Sequence, residues 1–252
     1  MSASKTSSKM RLDVALVERG LADSRAKAQA LILAGAVYSG ERRLDKPGHP
    51  VARDQPLEVR GHDRPWVSRG GVKLAHALEH FGIDPAGGIW LDIGASTGGF
   101  TDVLLSRGAA SVYAVDVGHG QLAWKLRQDP RVVVLERTNA RHLSRQEVPE
   151  PVDGIVCDAS FIGLEVVLPA PLALAAPRAH LIALIKPQFE VGPTEVGKGG
   201  IVRDPALHRL VCARVAAWLG DRPGWTVLGI TDSPIAGADG NREFLIAAKR
   251  AA

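Results

Sequence analysis

The chain has 252 residues, of which 46% are apolar and 23% charged, the balance of a folded globular protein rather than a disordered one. It holds no apolar run near the roughly 18 residues of a membrane span; the longest candidate, Val166 to Ala176, is interrupted by Pro169 and Pro171. The net charge of +4 is confined to the first quarter, where residues 1–64 hold 12 Lys/Arg against 8 Asp/Glu while the remainder holds 19 of each.

Met1 to Lys9 is rich in Ser and Lys and lacks the apolar stretch of a secretory signal. Cys157 and Cys212 sit in apolar surroundings, with neither a disulfide framework nor metal-ligand spacing. The expectation is a soluble, cytoplasmic, monomeric protein with no membrane partner. A basic surplus gathered in one region is the footprint of a part that touches a polyanion.

In chain order, a tail over residues 1–10 is expected to be disordered. Arg11 to Arg19 reads as a short helix, with Leu12, Ala15 and Leu16 on one face and Gly20 as its stop. Asp23 or Ser24 caps a second helix that turns Ala28, Leu31 and Ile32 inward and ends at Gly35. Arg25 and Lys27 occupy its first turn, where cations oppose the helix dipole. Stability given up locally points to a ligand, and helix-start amides with two cations suit a phosphate. Short extended segments at Ala36–Tyr38 and Leu57–Val59 flank a loop carrying Arg42, Arg43 and Lys46.

Residues 61–67 have the composition of a linker, with Arg64 beside Pro65 and Trp66 suited to packing at an interface. A helix with Leu74, Ala77, Leu78 and Phe81 on one face follows and stops at Gly82. It contains His76-x-x-Glu79-His80, the string of some zinc proteases. Both histidines lie opposite the apolar face, and no further ligand cluster accompanies them, so no metal is expected.

From Gly88 onward strands alternate with helices, the pattern of an open, mainly parallel sheet of seven strands in an α/β domain. The strand candidates are Ile89–Ile93, Ser111–Val115, Val132–Leu135, Gly154–Asp158, His180–Ile185, Trp225–Ile230 and Arg242–Ala247. Ligands in such sheets bind beyond the carboxyl ends of the strands. The first strand ends in Asp92-Ile-Gly94-Ala-Ser96-Thr-Gly98-Gly99-Phe100, where the glycines let a cofactor approach the backbone. The spacing G-x-x-x-G-G argues against a pyrophosphate dinucleotide. Asp116 after the second strand can accept both hydroxyls of a ribose, and Asn139 after the third can face an adenine. The three features together point to S-adenosylmethionine.

Asp158 ends the fourth strand, Lys186 ends the fifth and Glu243 opens the last. If that last strand runs antiparallel, these three and Lys73 meet at one crevice edge. Lys186 is then the candidate base, although lysine's reference pKa of about 10.4 means that its charge must first be disfavoured. Lys73, desolvation under substrate and the sulfonium charge would each act in that direction, with Asp158 and Glu243 orienting the two lysines. The Gly-rich run from Gln188 to Gly200 reads as a flexible lid facing RNA.

The string from Arg11 to Val37 resembles the S-four RNA-binding domain, here expected over residues 11–60, with Arg11, Arg25, Lys27, Arg42 and Arg43 as RNA contacts. The later motifs resemble the FtsJ-like methyltransferases, expected over residues 68–252 with a class I, Rossmann-like fold. The order S-four domain, R-x-W-V, S-R-G-x-x-K, D-x-G-A-S-T-G-G-F-T and K-P-Q-F-E is similar to that of the TlyA family. That resemblance implies 2′-O-methylation of cytidine in ribosomal RNA of the large subunit, or of both subunits. Ribosomal subunits or their assembly intermediates would then be the partners. The alternatives are a ribosome-binding or assembly factor without chemistry, and a haemolysin, the label some homologues carry.

Overall fold

The computed structural model describes residues 9–22, 24–53, 55–59, 66–192, 194–237 and 240–252, and the chain divides into two compact units, residues 1–65 and 66–252. In the first, β1 (Lys9–Arg11) leads into α1 (Leu12–Glu18) and α2 (Arg25–Leu33). Strands β2 (Val37–Ser39), β3 (Arg42–Arg43), β4 (Pro50–Ala52) and β5 (Glu58–Val59) follow. They form two small antiparallel sheets, β1–β4 and β3–β2–β5. The expected tail therefore ends too late at residue 10, because Lys9 and Met10 pair with Ala52 and Val51. A three-residue strand is too short for an alternation signal, and only its partner reveals it.

The two helices bury Leu12, Ala15 and Leu16 against Ala28 and Ile32. Ser24 caps α2 by accepting a hydrogen bond from the Lys27 amide, 3.2 Å; Asp23, the other candidate cap, lies outside the described residues.

Asp13 changes the meaning of the cations around it. Its carboxylate is fully buried and receives Arg11 Nε and Nη2 at 3.0 Å, Gln29 Nε2 at 2.9 Å and Arg25 Nε at 3.2 Å. Arg25 at the start of α2 thus has an internal anion that offsets the unfavourable dipole, which the sequence reading assigned to a ligand. The Arg11 hydrogen bonds hold the Asp13 carboxyl well below the usual carboxylate range. A depressed value means that its stabilisation is fully present above about pH 4 and fades as the pH falls further. Asp13→Asn should therefore cost about 2 kcal/mol at pH 7 through lost charge-assisted bonds. The deficit should shrink below pH 4. Native-state hydrogen exchange of residues 9–59 in the full chain measures both.

The second unit opens with α3 (Gly70–Phe81), β6 (Ile89–Ile93), α4 (Gly99–Ser106), β7 (Ser111–Val115), α5 (Trp124–Arg127) and β8 (Val132–Leu135). It continues with β9 (Val152–Cys157), α6 (Leu164–Val167), α7 (Pro169–Ala173), β10 (Ala175–Ile185) and α8 (Pro187–Glu190). The last elements are α9 (Pro205–Gly220), β11 (Trp225–Asp232) and β12 (Phe244–Arg250). One seven-stranded sheet results, in the order β11-β12-β10-β9-β6-β7-β8. Strand β12 is antiparallel to both of its neighbours and every other pair is parallel.

Both faces of this sheet are covered. Leu91 and Ile93 of β6 join one apolar cluster while Trp90 joins the other, each side chain nearly or fully buried, which contributes roughly 1.5–3 kcal/mol per large side chain. The strand order reverses between β6 and β9, so their carboxyl ends diverge into a crevice. Among the described residues, no helix is long and apolar enough to cross a membrane.

Trp66 belongs to this second unit rather than to a free linker. Its side chain covers the start of α3, where a Cβ on Gly71 would stand 2.7 Å from the Trp66 Cβ, and the next residue's amide, Val67 N, donates to Asp102 Oδ2 at 2.8 Å. Arg64 lies outside the described residues.

Candidate active site

Four side chains from four elements converge at the carboxyl edge of the sheet. Lys73, on α3, donates to Glu243 Oε2 at 2.6 Å and stands 3.8 Å from Asp158 Oδ2. Lys186, in extended conformation ahead of Pro187, places Nζ 2.6 Å from Asp158 Oδ1. That contact is an ion pair without hydrogen-bond alignment; the aligned bonds of Lys186 go to the Asp158 carbonyl, 3.1 Å, and Ser160 Oγ, 2.9 Å. Lys73, Lys186 and Glu243 are at most 8% exposed. Burying two cations beside two anions keeps the cluster neutral, without which the desolvation cost would be prohibitive. Glu243 precedes β12 by one residue and reaches this edge because β12 is antiparallel. Gly237 makes room for it, since a Cβ there would stand 2.0 Å from Glu243 Oε1.

Two clefts meet at this cluster. One, of about 660 Å³, is lined by Gly94, Ser96, Asp116, Gly118, Asn139 and Phe161, among others. The other, of about 270 Å³, is lined by Ser68, Arg69, Lys73, Phe100, Ile235 and Gly237, among others, and both share Gly94, Ser96 and Asp158. Gly94 has φ +79° and a Cβ there would come within 3.0 Å of the Ala159 backbone, so this turn at the cleft's edge calls for glycine. Asp116 Oδ2 accepts the Ser96 amide at 2.8 Å and Oδ1 accepts the Gly118 amide at 2.7 Å. Its remaining lone pairs suit a diol. Apolar Ile162, Val166 and Val167 line the same cleft, so it combines an acceptor for a sugar with an apolar wall for a base. The residues present fit a nucleoside-bearing cofactor.

The other expected cofactor contacts differ in what they face. Asp92 is fully buried beneath the glycine turn and lines neither cleft. Its Oδ2 accepts the Thr101 amide at 3.0 Å and hydroxyl at 2.7 Å, which clamps α4 onto β6. Burial pushes its carboxyl up to about 7, and its Oδ1 has no hydrogen-bond partner among the described residues. Gly98, with φ +94°, meets Leu126 and Leu122, where a Cβ would stand 2.3 and 2.8 Å away. Gly99 lines the smaller cleft but also packs on α3, with Ser68 Oγ 2.1 Å from a Cβ placed there. Both glycines are packed closely against other parts of the protein. Phe100 is 3% exposed and lines the smaller cleft, not the larger. Asn139 does line the larger cleft, but its Oδ1 caps the 3-10 turn at Ala140–His142 by accepting the Arg141 amide, so only its amide nitrogen is left to face a base.

The expected lid is also shorter and more constrained than its composition suggests. Residues 187–190 form α8, Gly197 bridges to Ile201, and Asn241 accepts from the Val202 amide and donates to the Gly200 carbonyl. In the N-terminal unit Lys27, Arg42 and Arg43 are exposed, with the two arginines on β3 rather than in a loop. Glu79 of the H-x-x-E-H string pairs with Arg107, and the rings of His76 and His80 stack at 5.8 Å.

Two residues at the mouth escape the sequence reading. Ser160 bonds Lys186, and Phe161 is 89% exposed at φ +64° with its ring 5.0 Å from that of Phe189. Their adjacency to Asp158 was the available signal.

Comparison with known proteins places this geometry. The S4 domain profile matches residues 10–55 and the FtsJ-like methyltransferase profile matches residues 66–250. YqxC of Bacillus subtilis (strain 168), whose name calls it an rRNA methyltransferase, is 52% identical over 96% of this chain and 86% of its own length. TlyA of Mycobacterium tuberculosis (strain ATCC 25618 / H37Rv), named a 16S/23S rRNA (cytidine-2'-O)-methyltransferase, is 51% identical over 94% of this chain and 88% of its own. A solved structure from Streptococcus thermophilus that carries the hemolysin name superposes with a TM-score of 0.75 at 41% identity, covering 98% of this chain and 90% of that one. A likeness of this extent, over both matched domains in the same order, makes the chain a member of the FtsJ-like methyltransferase family, in its TlyA branch, and a methyltransferase.

Proposed function

We propose that this protein transfers a methyl group from S-adenosylmethionine to the ribose 2′-oxygen of a cytidine in ribosomal RNA, acting on the large ribosomal subunit and, as a second substrate, the small. The observation that carries the reading is the buried Lys73, Asp158, Lys186 and Glu243 cluster at the junction of the two clefts. The names of the relatives support the substrate, and the S4 domain supports RNA as the partner. Such a substrate is met in the cytoplasm.

S-adenosylmethionine, when bound, supplies an electrophilic methyl on a sulfonium centre. Asp116 would accept its ribose hydroxyls and the Asn139 amide would face its adenine. On the RNA side, Lys186 as a neutral amine takes the proton of the attacking 2′-hydroxyl. Glu243 engages Lys73, which leaves Asp158 to orient Lys186. Most of the acceleration comes from alignment, with proton removal contributing about 10²–10⁴-fold. Phe161, exposed at the mouth, offers a face on which a nucleobase can stack.

Purified protein incubated with ribosomal subunits and methyl-labelled S-adenosylmethionine should place the label in 2′-O-methylcytidine after complete digestion of the RNA. Label in a base, or none above background, overturns the reading and favours a ribosome-binding factor. Lys27→Glu combined with Arg42→Glu and Arg43→Glu should weaken RNA binding at least about tenfold and flatten its salt dependence. Cofactor affinity should stay unchanged. Arg25 is left out of that set because its partner is Asp13.

A further inference from the structure

Lys186 Nζ has three neighbours within hydrogen-bond reach, and two of them can only accept. They are the Asp158 carbonyl at 3.1 Å and the Asp158 carboxylate at 2.6 Å. Lys73, held by Glu243, stands 3.8 Å from the other carboxylate oxygen of Asp158, and Cys157 ends β9 just before Asp158. Neither of the two Asp158 oxygens at Lys186 can donate a hydrogen bond to the lone pair of a neutral amine. Ser160 Oγ, at 2.9 Å, is the exception, because a hydroxyl accepts from an ammonium and donates to an amine lone pair.

The loop that carries this hydroxyl is anchored on both sides. The Asp158 amide donates to Ile93 O at 2.9 Å. Phe161 adopts φ +64°, a conformation that a non-glycine residue keeps only where its surroundings impose it. Just beyond, Glu190 Oε1 accepts the Leu164 amide at 2.8 Å, and its other oxygen takes Arg214 at 2.9 Å. Glu190 is 9% exposed and sits four residues after Lys186, so one buried carboxylate ties the Ser160 loop to the segment that bears the lysine.

We propose that Ser160 is a positioning residue for the methyl transfer, reversing its hydrogen bond to Lys186 as the lysine passes between ammonium and amine. The proposal rests on the reading of Lys186 as base. In the amine state the Asp158 carbonyl receives an N–H bond and Ser160 donates to the lone pair, keeping the nitrogen in place until substrate arrives. The 2′-hydroxyl then displaces Ser160 from the lone pair. As the O–CH3 bond forms and the S–CH3 bond breaks, the hydroxyl proton passes to Nζ, the sulfonium becomes a neutral thioether, and Ser160 returns to accepting from the ammonium.

The test uses the full-length protein with ribosomal subunits as substrate. Ser160→Ala should lower the single-turnover rate by about tenfold or more, within the range of proton-transfer effects. KM for RNA and the affinity for S-adenosylmethionine should stay unchanged. Ser160→Thr, which restores the hydroxyl, should return to within about threefold of wild type, as a catalytic rather than a folding effect requires. Independently of turnover, the 15Nζ resonance of Lys186, assigned by its loss in Lys186→Arg, should shift and exchange faster in Ser160→Ala. The proposal is overturned if Ser160→Ala keeps more than half of the wild-type rate, if Ser160→Thr falls as far as Ser160→Ala, or if the Lys186 resonance is unmoved. If Lys186→Arg is inactive while Ser160→Ala is normal, only the role of Ser160 falls; if Lys186→Arg remains active, the base assignment falls with it.

Discussion

Changing Lys186 to arginine is expected to abolish methyl transfer as thoroughly as changing it to alanine. Arginine keeps the positive charge beside Asp158, but a guanidinium with a pKa above about 12 cannot take the proton of the attacking hydroxyl. The contrast separates a base from an electrostatic clamp, which arginine would partly replace. Both variants should still bind S-adenosylmethionine and RNA, because the proton is taken only on the way to the transition state. The wild-type rate should rise with pH as a growing fraction of the lysine becomes neutral, provided that chemistry is the slow step. The deciding measurement is single-turnover methylation by Lys186→Arg with both substrates saturating. A residual rate above about a tenth of wild type, where loss of a base costs about 10²–10⁴-fold, would leave alignment and electrostatics as the whole of catalysis.

The second large effect is expected at Asp116. Its carboxylate holds the Ser96 and Gly118 amides and lines the larger cleft. Asp116→Ala removes the acceptor for the ribose diol and also releases two backbone amides that shape the cleft. Charge-assisted hydrogen bonds are worth about 1.5–3 kcal/mol, so one lost bond already weakens S-adenosylmethionine binding about tenfold to a hundredfold. Two would do more. Asp116→Asn keeps one acceptor oxygen and should fall between the two. Titration calorimetry reads both, and an unchanged dissociation constant in Asp116→Ala would remove this residue from the cofactor site. RNA affinity serves as the control, since the proposed RNA contacts lie in the N-terminal unit.

Much of this protein was legible in its sequence because the relevant signals are local. Ile89–Ile93, Ser111–Val115 and Val132–Leu135 coincide with the observed strands β6, β7 and β8, since a short apolar run bounded by turn residues specifies a buried parallel strand without reference to anything distant. Helices α1 and α2 announced themselves by apolar spacing and by the Ser24 cap. Even the meeting of Lys73, Asp158, Lys186 and Glu243 followed from strand ends once β12 was taken as antiparallel, because the carboxyl edge of such a sheet is a place that topology defines.

Tertiary structure decided which atoms face which. Asp92 and Asp116 both stand at the carboxyl end of a strand, yet one is sealed under α4 with its carboxyl pushed up to about 7 and the other lines the cleft. Whether a carboxylate at a strand end points into the layer of helices or into the crevice depends on what packs above it, and that lies many residues away. Gly94 and Gly98 differ for the same reason, one lying against the Ala159 backbone and the other against Leu122 and Leu126. Arg25 seemed to oppose a helix dipole for a ligand's sake until Asp13, from the preceding helix, supplied the missing anion. Strands β1 and β4 exist only as each other's partners. Sequence periodicity records which face of an element is buried; the identity of the group that meets a buried charge is a long-range pairing, and it exists only once the chain has folded.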